Sequence, residues 1–268
     1  MPSLANAAAA LPRSRFSQRV HYFARVDSTN RVARHLGRDG EPDGTVVIAD
    51  QQTAGRGRRQ RTWVSPAGAG LYVSLLLRPP FELLESGVAV QLVAGIAVAE
   101  VLAEKLEKTL PEKPVLRWPN DCYVLDRKIA GVLVESESTG EAFDFLVCGI
   151  GLNVNHQADD FPPELDDRAT SMRMHMGHEV SRYDVLVRLL GTLEVWETAW
   201  REHGLGPIRQ RWLELSPETV HGRVSVQTEA GLLEGTTEGL TEGGRLRVRA
   251  ADGLHELAVG EVVRLTPA

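Results

Sequence analysis

The chain has 268 residues, 43% hydrophobic and 25% charged, a balance that fits a globular protein and excludes a disordered or fibrous one. Its formal charge of −6 argues against a general nucleic-acid binder, which is usually basic. Two cysteines without metal-ligand spacing, Cys122 and Cys148, suit small buried filler in a reducing cytoplasm better than a disulfide scaffold.

Residues 1–15 are Ala-rich with no basic region ahead of the alanines, so residues 1–19 read as a disordered start rather than a signal peptide. Val20–Val26 reads as a strand. Ser28 can then cap a helix to about Leu36, with Gly37 at its C′ position. Residues 45–50 and 71–77 read as buried strands. Residues 86–106 carry apolar side chains at helical spacing, Val90, Val93, Ala94, Ala97 and Val101. Gln91 and Glu100 interrupt that stretch, so no apolar run is expected to span a membrane. Residues 115–118, 122–125 and 128–135 read as strands, with Asp126-Arg127 as a hairpin turn. Residues 142–153 form one more strand that enters a loop. Ser181 caps a long helix to His203, Gly204 stops it, and residues 207–215 are helical again. After Pro217 the pattern turns to short β-prone pieces split by Gly-rich turns, which suggests a small β-barrel. The expected class is therefore α+β, with domains at 20–217 and 218–268.

Between the first two buried strands lies the most informative segment, Thr53-Ala-Gly-Arg-Gly-Arg-Arg-Gln-Arg-Thr-Trp63. Arginine grips phosphate or carboxylate with a planar fork, and glycine lets backbone approach a ligand. Four arginines in six positions repel, so the empty loop should be mobile and a polyanion should order it. The same letters also suit a solvated surface or a nucleic-acid patch.

Other segments join the loop: Asp27-Ser28-Thr29-Asn30, Arg117-Trp118-Pro119-Asn120-Asp121, Lys128-Ile-Ala-Gly131 through Glu135, and Gly149-Ile-Gly151-Leu-Asn153. In this order and spacing, over roughly residues 20–265, the chain resembles the biotin protein ligases. The resemblance implies a mixed β-sheet catalytic domain backed by helices and a small C-terminal SH3-like β-barrel. It also resembles the short form of that family, because too few residues precede Val20 for a three-helix DNA-binding module.

Positions matching Ser28, Thr29, Asn30 and Gln52 line the biotin site in the family, together with Arg56, Gly57, Arg58, Lys128 and Gly131. The resemblance makes Lys128, Arg56 and Arg58 the catalytic set. It turns Arg61, Trp63, Asn120, Asp121 and Asn153 toward ATP and the adenylate, with Asp121 beside ATP-bound Mg²⁺. The segment Ala169-Thr170-Ser171-Met172 resembles a further adenylate-facing stretch. The family often has glycine where this chain has Gln60, and lysine where it has Arg117.

Plainer readings exist for each residue. Ser28 fits an ordinary N-cap, Gln52 a loop glutamine, Trp63 a hydrophobic anchor, and Asn120-Asp121 a turn after proline. Lys128 begins a strand that looks buried, so it needs either an anionic partner or an exit to solvent.

The implied activity is ATP-dependent formation of biotinyl-5′-adenylate, then transfer of biotin to a lysine of a biotin carboxyl carrier protein. ATP, Mg²⁺ and biotin are the implied small molecules. No specific DNA and no membrane are expected as partners, and a homodimer stays open. A lipoate–protein ligase shares the fold and the adenylation chemistry and is the nearest alternative. A non-catalytic basic-loop nucleic-acid binder is the alternative from another class.

Overall fold

The structure is a computed structural model that describes residues 4–6, 11–78, 83–139, 142–228, 231–258 and 261–267. Seven strands form the main sheet: β1 (Val20–Val26), β2 (Thr45–Gln52), β3 (Gly70–Leu77), β4 (Val115–Arg117), β5 (Asp121–Val124), β6 (Arg127–Thr139) and β7 (Ala142–Asn153). Their order is β1-β2-β3-β7-β6-β5-β4. Only β1 and β2 run parallel, because a helix, α1 (Thr29–Arg38), carries the chain across between them. The other neighbours are antiparallel.

Every residue of β3 is buried, since both faces of the sheet are covered there. Leu71, Val73, Leu75 and Leu77 pack into a large core with α2 (Leu83–Leu106), with α4 (Arg182–His203) and with α5 (Leu205–Leu215). In α2, Gly95 is the notch for the fully buried Trp212 of α5, for a Cβ there would lie 2.6 Å from its ring. The other face carries a smaller cluster of Ala33, Val47, Leu76, Phe145 and Val147 beneath α1.

Ten residues of α1 cover only part of that second face. Beyond α1, β7 presents Gly149 and Gly151 and β6 presents Gly131, and Gly151 and Gly131 are direct cross-strand partners. A sheet face floored by glycine lets the side chains of Trp63, Lys128 and Asn30 lie close against it, and open volume remains above and beside them. That volume is the site.

Several expectations are corrected. Gly37 does not end α1; it lies inside the helix, where a Cβ would come 2.6 Å from Phe145, and Gly40 takes the positive φ of +90° instead. The β5–β6 turn centres on Leu125 and Asp126, both at positive φ, not on Asp126 and Arg127. The segment Ser86–Leu106 is long and apolar enough, by length and composition, to cross a membrane, but it is a core helix mostly buried in the protein. Of the segment expected to be disordered, residues 4–6 and 11–19 are ordered against the domain, anchored by the buried Leu4 and Phe16. Phe16 is 1% exposed in the core beside Leu75, Val90 and Trp200. Arg15 pairs with Glu197 and Asp43 at 2.5 Å each. Residues 1–3 and 7–10 lie outside the described residues.

After a short helix, α6 (Glu218–His221), the chain enters β8 (Gly222–Thr228), β9 (Gly231–Leu240), β10 (Leu246–Ala250), β11 (Gly253–Leu257) and β12 (Glu261–Pro267). They form a five-stranded antiparallel sheet in the order β11-β10-β9-β8-β12. Among the described residues no ladder joins β11 to β12, so a closed barrel is not seen. Val224, Val226, Leu240, Leu246 and Val248 belong to the same core as α2 and α4. Residue 217 thus marks a change of architecture inside one continuous hydrophobic core.

Candidate active site

A cavity of about 700 Å³ opens over the glycine floor. That is the size of a small-molecule site. It is lined by Ser28, Thr29, Asn30, Gln52, Arg56, Gly57, Arg58, Arg61, Trp63, Asn120, Asp121, Lys128, Gly131 and Asn153, and of the 169–172 segment by Ala169 but not by the buried Thr170, Ser171 and Met172.

One wall is the start of α1. Ser28 holds the N-cap position, yet its hydroxyl caps no backbone N–H. Thr29 donates through its backbone N–H to Gln52 Oε1 at 2.9 Å, and its Oγ1 lies 3.1 Å from the same oxygen. Gln52 Nε2 donates to Ser65 Oγ at 3.0 Å, and Ser65 Oγ donates to the Trp63 carbonyl at 2.9 Å. On the other side Ser74 Oγ lies 2.8 Å from Thr29 Oγ1 and 2.6 Å from Asn30 Oδ1. Ser74 has one proton, which on Asn30 Oδ1 leaves Thr29 Oγ1 its own single proton for either Gln52 Oε1 or Ser74 Oγ. Asn30 Nδ2 then donates to Glu135 Oε2 at 2.7 Å. A continuous polar chain thereby runs from the end of the arginine loop, through α1, to β6.

The arginine loop is a compact hairpin roofing the cavity. Gly57 N donates to Arg61 O at 2.7 Å, Trp63 N donates to Gly55 O at 2.9 Å, and Arg59 holds the left-handed conformation at φ +52°. Distinct partners separate the like charges. Arg56 pairs with Glu135 at 3.2 Å. Arg59 Nη2 donates to the Gln227 carbonyl of the C-terminal sheet at 2.9 Å. Burial pushes Arg58 below the usual guanidinium value; Asp121 acts against that shift and Arg59 adds to it.

Trp63 lies on the glycine floor. A Cβ on Gly151 would stand 2.5 Å from its Nε1, and one on Gly131 would stand 3.4 Å from its ring. Lys128 Nζ sits 5.5 Å from the indole centroid and 2.7 Å from Asp121 Oδ1. The anionic partner of Lys128 here is therefore a protein carboxylate. The glycines seat side chains rather than lying open: Gly151 seats Trp63, Gly131 seats Lys128 and Trp63, and Gly149 seats Asn30.

Asn120 and Asn153 line the cavity but fasten loops with their amides, Asn120 Nδ2 to Val132 O at 2.8 Å and Asn153 Nδ2 to Thr170 O at 3.0 Å. The segment 168–170 joins the site through Lys128, whose N–H donates to Arg168 O and whose carbonyl accepts from Thr170 N. Ser171 caps the short α3 (Met172–Met176) and donates to His156 O at 2.6 Å. At the cavity's edge Arg117 lies over Tyr123, 4.2 Å from its ring centroid, and pairs with Asp126 at 2.6 Å and Glu218 at 3.3 Å. Burial disfavours its charge, but Glu218 and Asp126 more than offset this and hold it above the ordinary value. Burial pushes the thiol of Cys148 up to about 12 and raises that of Cys122, so both are inert filler.

The sequence reading did not include Ser65, Ser74 and Glu135 among the site residues. Ser74 carried a usable signal, a hydroxyl in the apolar strand 71–77, which when buried must find a partner.

Comparison with known proteins fits this geometry. The profile described as Biotin/lipoate A/B protein ligase family matches residues 22–153. The biotin–[acetyl-CoA-carboxylase] ligase of Paracoccus denitrificans is 32% identical over 90% of this chain and 98% of its own length. The chain belongs to the biotin protein ligase family. The bifunctional ligase/repressor BirA of Bacillus spizizenii, another relative of this ligase, is 32% identical over 91% of this chain and 74% of its own. Among solved structures, the biotin protein ligase from Aquifex aeolicus in complex with biotin and ATP superimposes with a TM-score of 0.77 at 32% identity. It covers 94% of this chain and all of the other.

Proposed function

We propose that this ligase activates biotin with ATP as biotinyl-5′-adenylate and transfers it to a lysine of a biotin carboxyl carrier protein. The observation that carries the reading is the cavity itself. A polar wall at Thr29 and Gln52 faces an apolar and glycine floor, while Lys128, Arg56 and Arg58 gather positive charge beside it. A ureido ring suits the first, and a carboxylate beside a phosphate suits the second.

In the first step the biotin carboxylate oxygen attacks the α-phosphorus and pyrophosphate leaves. Lys128 and the loop arginines stabilise the oxygens among which negative charge shifts. In the second step the acceptor amine attacks the carbonyl of the mixed anhydride, the C–O bond breaks, and AMP leaves. The loop hairpin over the cavity aligns the reactants and keeps water from the anhydride.

Among the described residues no group of three His, Cys, Asp or Glu could hold a metal ion. Magnesium therefore fits only as an ion carried by the nucleotide. Asp121 is the carboxylate suited to meet it, and the phosphates and water supply the remaining ligands. There it would neutralise phosphate charge. The C-terminal sheet, proposed as an SH3-like unit, serves nucleotide handling or transfer through Arg59, which donates to its Gln227 carbonyl. The buried thiols suit a cytoplasmic setting.

The test is mass spectrometry of a carrier domain incubated with the protein, biotin and Mg-ATP. The expected result is one added biotinyl group on one lysine, with pyrophosphate exchange driven by biotin and not by lipoate. Exchange driven by lipoate alone would assign the site to the other branch of the family.

A further inference from the structure

Glu135 lies on β6, on the α1 side of the sheet, and does not line the cavity. Three side chains nevertheless converge on its carboxylate. Asn30 Nδ2 donates to Oε2 at 2.7 Å, Arg34 Nη2 donates to Oε1 at 3.0 Å, and Arg56 Nη2 lies 3.2 Å from Oε1 and 3.4 Å from Oε2. Asn30 stands at the start of the wall that faces the cavity, and Arg56 belongs to the roof. Arg34 points to the same carboxylate from the next turn of α1 and also pairs with Glu137 at 3.3 Å. Roof and wall thus share one anchor.

Charge explains why this anchor has to be a carboxylate. Arg56 must remain in place beside three other loop arginines before any anionic ligand arrives, and Glu135 supplies the counter-charge that allows it. Only one of Arg56's terminal nitrogens reaches Glu135. Its Nε is buried without a hydrogen-bond acceptor. A buried donor without an acceptor is costly, and an anionic ligand would provide one. Glu135 therefore leaves Arg56 part-satisfied, held on one side and ready on another. Asn30 gains equally. With Glu135 taking its Nδ2 and Ser74 giving to its Oδ1, the amide has one orientation, and the polar chain through Thr29 to Gln52 is fixed with it.

We propose that Glu135 is a positioning residue for adenylation: it sets the wall through Asn30 and docks the loop through Arg56, so that both are ready before substrates bind. The catalytic part of this assignment rests on the proposed ligase activity. The docking part does not.

The experiment compares wild type with Glu135→Gln, Glu135→Ala, Arg56→Ala, Glu135→Ala/Arg56→Ala and Arg34→Ala. Trypsin cleavage after the loop arginines of the ligand-free protein reads docking alone. Glu135→Ala should be nicked about tenfold faster, as expected from losing a charge-assisted hydrogen bond, and Arg34→Ala should match wild type. Pyrophosphate exchange and adenylate release read the catalytic part. Glu135→Ala should raise the KM for biotin and the rate of adenylate loss by roughly tenfold each. Glu135→Gln, which keeps an acceptor for Asn30 but no charge for Arg56, should restore the KM and not the retention. The double variant should release adenylate no faster than Arg56→Ala alone, because both changes remove the same interaction. Equal nicking of wild type and Glu135→Gln, or additive release in the double variant, would overturn the proposal. If wild type shows no biotin-driven exchange while the nicking rates differ as expected, the ligase reading fails and the loop anchor stands.

Discussion

The glycine floor supplies the sharpest prediction, because two neighbouring glycines should respond to the same added methyl in opposite ways. At Gly149 a Cβ would lie 2.8 Å from Asn30 Cγ, with the amide oxygen nearer still. Asn30 cannot yield cheaply, for Ser74 holds its Oδ1 at 2.6 Å and Glu135 its Nδ2 at 2.7 Å. Gly149→Ala should break one or both bonds and overpack the strand, at about 2–4 kcal/mol in total. For a chain of this size that corresponds to a fall in Tm of roughly 5–15 °C. At Gly151 the Cβ would lie 2.5 Å from Trp63 Nε1, but that nitrogen donates to nothing and Trp63 sits on the loop. The indole can move without losing a hydrogen bond, so Gly151→Ala should cost under about 1 kcal/mol in stability while disturbing the roof. Scanning calorimetry gives the first quantity, and titration calorimetry with biotin and with a non-hydrolysable adenylate analogue gives the second. Gly149→Ala should lose Tm and biotin affinity together, and Gly151→Ala should keep Tm and lose adenylate affinity. Equal Tm values for the two variants would mean that Asn30 is not pinned, and the polar chain through Ser74 would lose its standing.

The remaining predictions concern charge and pH. Lys128→Ala should cut adenylate formation by roughly 10²–10³-fold, the scale of losing one preorganised charge-stabilising donor, in a protein that stays folded; near wild-type pyrophosphate exchange would remove Lys128 from the site. Arg56→Ala/Arg58→Ala should release free biotinyl-adenylate that labels lysines of unrelated proteins, which a blot for biotin on added albumin would detect; a clean blot would reduce these arginines to surface charge. His156 is fully buried, and burial pushes its pKa down to about 4 from the ordinary imidazole value of 6.5. The native state therefore holds the ring neutral where the unfolded chain is protonated. That stabilisation is complete above pH 6.5 and is lost as the pH falls toward 4, by about 3 kcal/mol over the window. Urea unfolding at pH 7.5 and pH 5 should show the loss in wild type and a smaller one in His156→Gln; identical slopes would assign the pH dependence to other groups.

The fold was legible where local chemistry decides it. Ser181 and Gly204 bound α4 as their letters suggest, with Ser181 accepting from Asp184 N. The reading went astray where a residue answers to a distant partner. Gly37 looks like a helix stop, but it is glycine because Phe145, more than a hundred residues away, packs against it. Residues 11–19 follow an Ala-rich start near a terminus and read as disordered, but Phe16 finds a place in the core and Arg15 finds Glu197. The C-terminal strands have the rhythm of a separate domain. Their inward valines nonetheless join the core around α2, which nothing local in those strands announces.

The same distinction applies to the site. The motifs bring the residues that they name to one cavity because sheet order gathers the start of α1, the loop after β2, the β4–β5 turn and facing stretches of β6 and β7. What the letters did not reveal was the counter-charge. Four arginines in six positions suggest repulsion and a loop awaiting an anion. Folding instead assigns Arg56 to Glu135, sets Asp121 near Arg58, and turns Arg59 to the Gln227 carbonyl. Lys128, expected to await a ligand, meets Asp121 meanwhile. A ligand carrying carboxylate and phosphate would therefore enter a site where Arg56 and Lys128 are already paired with carboxylates. On the proposed reading it would gain affinity from what those pairs leave over, such as Arg56 Nε, and from geometry fixed in advance, not from bare charge. Removing a counter-charge such as Glu135 should then weaken the binding of an anion, although simple Coulombic reasoning predicts the reverse. The sign of that effect distinguishes a preorganised clamp from a merely basic loop.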